Sequence, residues 1–195
     1  MSPAREKLAE TISAATRLPL LAVPLFLAVG AEADGARGLL WAILCLFLTS
    51  GLSLIYLYYL ARSGKVRDPR RIPQAERVRP LRVVALLHVA AFLIVTLLGA
   101  PILLQAALLS YALATVTFVL LTPFANLSLH AAGVSGAAVC LAFVFGAWGS
   151  LALILVPLAW WARTVLGRHT PLELALGALV GGGGTWLSFL ALGAG

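Results

Sequence analysis

Between two strongly apolar stretches the chain reads Ala162-Arg163-Thr164-Val165-Leu166-Gly167-Arg168-His169-Thr170-Pro171-Leu172-Glu173, which sets arginine, histidine and carboxylate side by side. A second polar joint, Leu127-Ser128-Leu129-His130, adds another imidazole, and the segment Ala61 to Pro80, ARSGKVRDPRRIPQAERVRP, adds a run of bases. These residue types suit phosphate chemistry. Guanidinium presents a planar fork of donors matched to phosphate oxygens, and several of them neutralise the charge that builds up on five-coordinate phosphorus. One neutral imidazole can attack phosphorus while one imidazolium protonates the departing oxygen.

The surroundings of these residues are lipid-like. Hydrophobic residues make up 62% of the 195-residue chain and charged residues 11%, against roughly 45–50% and about 25% in a soluble domain. A soluble enzyme is excluded, and an all-α polytopic transmembrane helix bundle is expected. At about 20 residues per crossing, roughly six or seven spans fit. Apolar runs bounded by charge, Gly or Pro place seven of them near Leu18–Ala31, Gly38–Leu60, Leu81–Gly99, Pro101–Thr122, His130–Trp148, Ser150–Trp161 and Pro171–Leu192. Residues 18–195 then form one transmembrane domain. Residues 1–17 precede it as a polar segment, either a frayed tail or an amphipathic interfacial helix with Leu8, Ile12 and Ala15 on one face. Because that segment holds acids as well as bases, no cleaved leader is expected. Pro69 and Pro73 make the 61–80 segment a loop.

Crossing parity puts residues 1–17, the 61–80 loop and both histidine-bearing joints on one side. All Lys and Arg except Arg37 lie on or next to that side, so the positive-inside rule makes it cytoplasmic.

The three polar stretches resemble the motifs of the type 2 phosphatidic acid phosphatases: Lys-x6-Arg-Pro, Pro-Ser-Gly-His and Ser-Arg-x5-His-x3-Asp. Arg163, His169 and Glu173 keep the spacing of the third, with Ala162 in place of Ser and Glu in place of Asp. Ser128 and His130 keep the serine and histidine of the second without its proline and glycine. For the first, Arg79-Pro80 supplies the Arg-Pro pair, but Ile72 stands where the lysine belongs. The register stays open between Arg77 and Arg79, with Lys65, Arg70 and Arg71 behind them. The resemblance implies an integral membrane phosphatase acting on a lipid phosphate or isoprenoid diphosphate. His169 would be the nucleophile that forms a phosphohistidine, Glu173 its orienting carboxylate and His130 the general acid. Arg163, Arg77, Arg79, Ser128, Lys65 and Arg70 would hold phosphate, with no metal or other cofactor. Its partners would be membrane lipids and that substrate, and not nucleic acid.

Plainer roles compete for the same residues. Thr170-Pro171-Leu172-Glu173 reads as a capping box, so Glu173 can serve the last helix, and Ser128 can be an N-cap. Arg163, Arg168, Trp160 and Trp161 suit a membrane-water interface. With two motifs degenerate, a non-catalytic lipid-phosphate-binding or transport protein is the alternative. A magnesium-dependent prenyltransferase is disfavoured, since Asp34 and Asp68 are the only aspartates. Cys45 and Cys140 are expected as small core residues, His88 as a buried neutral imidazole, and Gly177 to Gly184 as a close-packing helix surface.

Overall fold

The computed structural model describes residues 2–66 and 72–194. It is 85% helix, and no strand occurs among the described residues. Five helical stretches are long and apolar enough to cross a membrane: Leu20–Arg62, Glu76–Leu97, Ile102–Leu121, Leu129–Val165 and Pro171–Leu192. Large apolar side chains such as Leu40, Leu97 and Trp148 point outward, as on a surface that meets lipid.

In chain order the helices are α1 (Pro3–Ala15), α2 (Leu18–Leu46), α3 (Leu52–Arg62), α4 (Gln74–Leu97), α5 (Ile102–Leu121), α6 (Leu129–Ser150), α7 (Leu155–Val165), α8 (Pro171–Ala178) and α9 (Gly184–Leu192). Short π-helical pieces join α2 to α3 and α8 to α9, and a 3₁₀ turn joins α6 to α7. Two of the long stretches reverse direction. In α2 the break falls at Asp34 and Gly35, the latter at φ 50°. In α6 it falls at Gly146, φ 57°. Both are left-handed positions that glycine occupies without a Cβ clash. Each reversal lays the chain back on itself, so that a Cβ on Gly38 would overlap the Gly30 carbonyl and one on Gly149 the Leu141 carbonyl. The sequence reading, which bounded runs by charge, Gly or Pro, set the second break at Gly149; the backbone turns three residues earlier, at Gly146.

The main core gathers Phe26, Val29, Ala42, Leu104, Leu108 and Phe189. A smaller cluster, Leu81, Phe118, Leu127 and Ala132, lies beneath the polar end. In lipid such packing gains dispersion energy and not water release, so close approach of backbones matters more than bulk. Gly177 sits directly on the Ser128 peptide and Gly181 on that of Ala132, and Ser135 Oγ donates to the Ala178 carbonyl at 3.0 Å. This contact seats the start of α6 against the end of α8 and the π-helical piece that follows it.

Two expectations need correction. The segment 61–80 is not loop throughout: α4 begins at Gln74, with Pro73 at its N-cap, φ −56°. Proline's fixed φ suits a helix start, so Pro73 opens α4 instead of prolonging the loop. The N-terminal segment is a helix, but its buried face is Ala9, Ser13 and Thr16, while Leu8 is 54% exposed. Small residues face inward there because α1 lies flat on α7.

Candidate functional site

The polar residues collect at one end of the bundle, and the start of α8 organises them. Thr170 is its N-cap: its Oγ1 accepts from the Glu173 N–H at 3.3 Å, and its own N–H donates to Glu173 Oε2 at 2.9 Å, closing a capping box. Just before it, the chain leaves α7 through a turn in which the Arg168 N–H donates to the Arg163 carbonyl at 3.0 Å. That turn brings His169 back beside α7.

His169 Nδ1 lies 3.3 Å from Glu173 Oε2, with its side chain 8% exposed. A carboxylate only accepts, so Nδ1 carries the hydrogen and Nε2 keeps its lone pair in the neutral ring. Burial, and after it the charge of Arg163, holds the His169 pKa below its ordinary value against the opposing pull of Glu173. The second oxygen of the carboxylate is also used. Asn126 Nδ2 donates to Glu173 Oε1 at 3.0 Å, and Arg77 Nη1 donates to Asn126 Oδ1 at 3.1 Å. An unbroken relay thus runs Arg77, Asn126, Glu173, His169. The guanidinium can only donate and the carboxylate can only accept, so the amide orientation is fixed.

The α6 start is tied to this relay through its backbone, where the Ser128 N–H donates to the Glu173 carbonyl at 3.2 Å. Ser128 is fully buried, and its Oγ accepts from the Ala131 N–H at 3.3 Å. Its place in the structure is the N-cap of α6. His130, in the first turn of α6, meets Thr16 Oγ1 through Nε2 at 2.9 Å.

Positive charge exceeds negative charge here. Arg17, Arg77 and Arg168 lie close enough to act electrostatically on Arg163, and Arg17, Arg163, Arg168 and His169 all act on His130. The carboxylate that acts on Arg77 and His169 is Glu173. Among the described residues the ion pairs are His169 with Glu173 and, at the opposite end, Arg37 with Asp34 at 4.0 Å. Among the described residues no arginine of the cluster lies within ion-pair distance of a carboxylate. Arg163 Nε is buried with no hydrogen-bond partner, although a buried unpaired donor costs about 1–3 kcal/mol. Chemically, such a cluster can receive an anion.

The structure therefore brings His169, Glu173, His130, Arg163 and Arg77 together. Arg79 is exposed and lies two positions from Arg77, about 200° around a helix of 3.6 residues per turn. It faces away. Lys65 folds onto its own helix, with Nζ 5.2 Å from the Tyr59 ring centre. Arg70 lies outside the described residues, as does Arg71. Asn126, Thr16 and Arg17 enter the cluster without having been read from the sequence; the one available signal was that Asn126 is an amide in the same polar joint as Ser128. No group of three His, Cys, Asp or Glu able to hold a metal occurs among the described residues.

Comparison with known protein families, characterised proteins and solved structures finds no match.

Proposed function

We propose that the protein is a membrane-embedded hydrolase that removes phosphate from a lipid phosphate or isoprenoid diphosphate through a phosphohistidine. The observation that carries the reading is His169: Nδ1 is held by Glu173, and Nε2 is left with its lone pair near Arg163, which has no ion pair with a carboxylate among the described residues. Nε2 attacks phosphorus, the bond from phosphorus to the lipid oxygen breaks, and His130 protonates that oxygen. Water then attacks the phosphohistidine, the N–P bond electrons return to Nε2, and His130 takes the water proton as inorganic phosphate leaves. Arg163 and Arg77 stabilise the charge on phosphorus in both steps.

On this reading each limb of the two reversed stretches is a crossing, which makes seven spans, and by sequence every Lys and Arg except Arg37 falls on or next to the side of the site. The positive-inside rule then makes the site face cytoplasmic. The substrate headgroup meets the site at that surface while its hydrocarbon tail stays in the bilayer. Purified protein is expected to release phosphate from phosphatidate, phosphatidylglycerophosphate or prenyl diphosphates in EDTA, and His169→Ala to abolish the release. No release from any of them would reject the hydrolase.

Ser128, consumed as a cap, and the missing lysine of the first motif favour a second reading, a lipid-phosphate-binding or transport protein without catalysis. Phosphate binding without release would decide for it.

A further inference from the structure

The N-terminal segment reaches into the anion cluster, a place that no motif assigns to it. Its helix α1 lies against α7, with Ala9 fully buried and Arg5 stacked 6.0 Å from the Trp161 ring centre. At its end Thr16 is 6% exposed. The Thr16 hydroxyl has a single proton, and the Ile12 carbonyl receives it at 2.7 Å. Thr16 Oγ1 can then only accept from His130, so His130 Nε2 carries a hydrogen and is occupied. The next residue, Arg17, adds its charge to the field on both His130 and Arg163.

We propose that the Thr16–Arg17 end of the N-terminal segment is a working part of the anion site: Thr16 is a positioning residue that engages His130 Nε2 and leaves Nδ1 to exchange the proton, and Arg17 supplies positive charge to the bound phosphate. The proton exchange rests on the hydrolase reading; the contact and the anion binding do not. In the transfer step His130, as the imidazolium, gives the Nδ1 proton to the leaving oxygen as the P–O bond breaks and is left as the neutral Nε2–H tautomer, and Nδ1 regains a proton from the attacking water as the N–P bond breaks. Nε2–H stays on Thr16 throughout.

The chain has three histidines, so ring-¹⁵N labelling of the full protein resolves them, and His130→Gln identifies the resonance of interest. His130 is expected as the Nε2–H tautomer, lost in Thr16→Val and kept in Thr16→Ser. In phosphate release, Thr16→Val lowers kcat roughly tenfold with KM little changed, and Thr16→Ser restores it, the scale of one hydrogen bond. Titration with inorganic phosphate, followed on the His169 ring, weakens roughly tenfold in Arg17→Gln, one charge-assisted contact, and stays unchanged in Lys7→Gln, an exposed base of the same helix. A His130 tautomer indifferent to Thr16→Val, or phosphate affinity indifferent to Arg17→Gln, overturns the proposal. Wild-type protein that releases no phosphate while its His130 tautomer follows Thr16 overturns the hydrolase reading and leaves the contact standing.

Discussion

Glu173 holds four partners with one side chain and one peptide: the Thr170 N–H, His169 Nδ1, Asn126 Nδ2 and, through its carbonyl, the Ser128 N–H. Capping and orientation are therefore simultaneous, and two substitutions separate them. Glutamine also serves at the third position of a capping box, so Glu173→Gln should change stability by less than about 0.5 kcal/mol while lowering kcat about 100-fold, the scale of outer-sphere orientation. Thr170→Ala should do the reverse, costing about 1 kcal/mol in unfolding with the His169–Glu173 contact kept. Equal losses of activity in the two variants would mean that the carboxylate only caps. Protonation consumes the Nε2 lone pair, and the His169 pKa is lowered, so the neutral form persists below the ordinary value. The acid limb of kcat/KM should lie beneath about pH 6.5. Glu173 pulls that pKa upward, so Glu173→Gln should move the limb to still lower pH; a limb moved upward would contradict the assignment.

Two elements set the spacing of the histidines. The Gly177 and Gly181 stripe of the last stretch bears on the Ser128 and Ala132 peptides, and a Cβ at either glycine would overlap a carbonyl. Gly181→Ala should force the helices apart, lowering stability by about 1–3 kcal/mol and weakening phosphate binding through loss of register between His130 and His169. Gly184→Ala, where an added Cβ meets nothing within 4 Å, should be neutral or stabilising by up to about 1 kcal/mol; thermal unfolding of both variants checks the pair. How legible the site was follows from the same distinction. His169, Thr170 and Glu173 lie within one turn, so cap chemistry and spacing revealed them. Asn126 and Thr16 reach their partners across 47 and 114 positions, and only tertiary packing creates those contacts. The choice between Arg77 and Arg79 stayed open because neither register completes the Lys-x6-Arg-Pro pattern: Ile72 stands seven residues before Arg79, and no proline follows Arg77.

At the scale of the whole chain, apolar runs and parity of crossings were enough to gather both histidine joints at one end, because bilayer thickness fixes the length of each run. The reversals at Gly35 and Gly146 were approximated and not located, since any short polar or glycine-bearing stretch would serve as a boundary. Charge makes a testable prediction of sidedness. In a single-cysteine series, with Cys45 and Cys140 buried and silent, Ser63→Cys should react with an impermeant thiol reagent only after cells are opened, and Arg37→Cys in intact cells. The opposite pattern would invert the protein without changing its site.

The most direct test of the account is to mix purified protein with lipid phosphate labelled at phosphorus, in EDTA, and quench within a turnover. The account predicts an alkali-stable, acid-labile phosphoryl group on His169 that is missing from His169→Ala. Phosphate release from wild-type protein with no such adduct would contradict it.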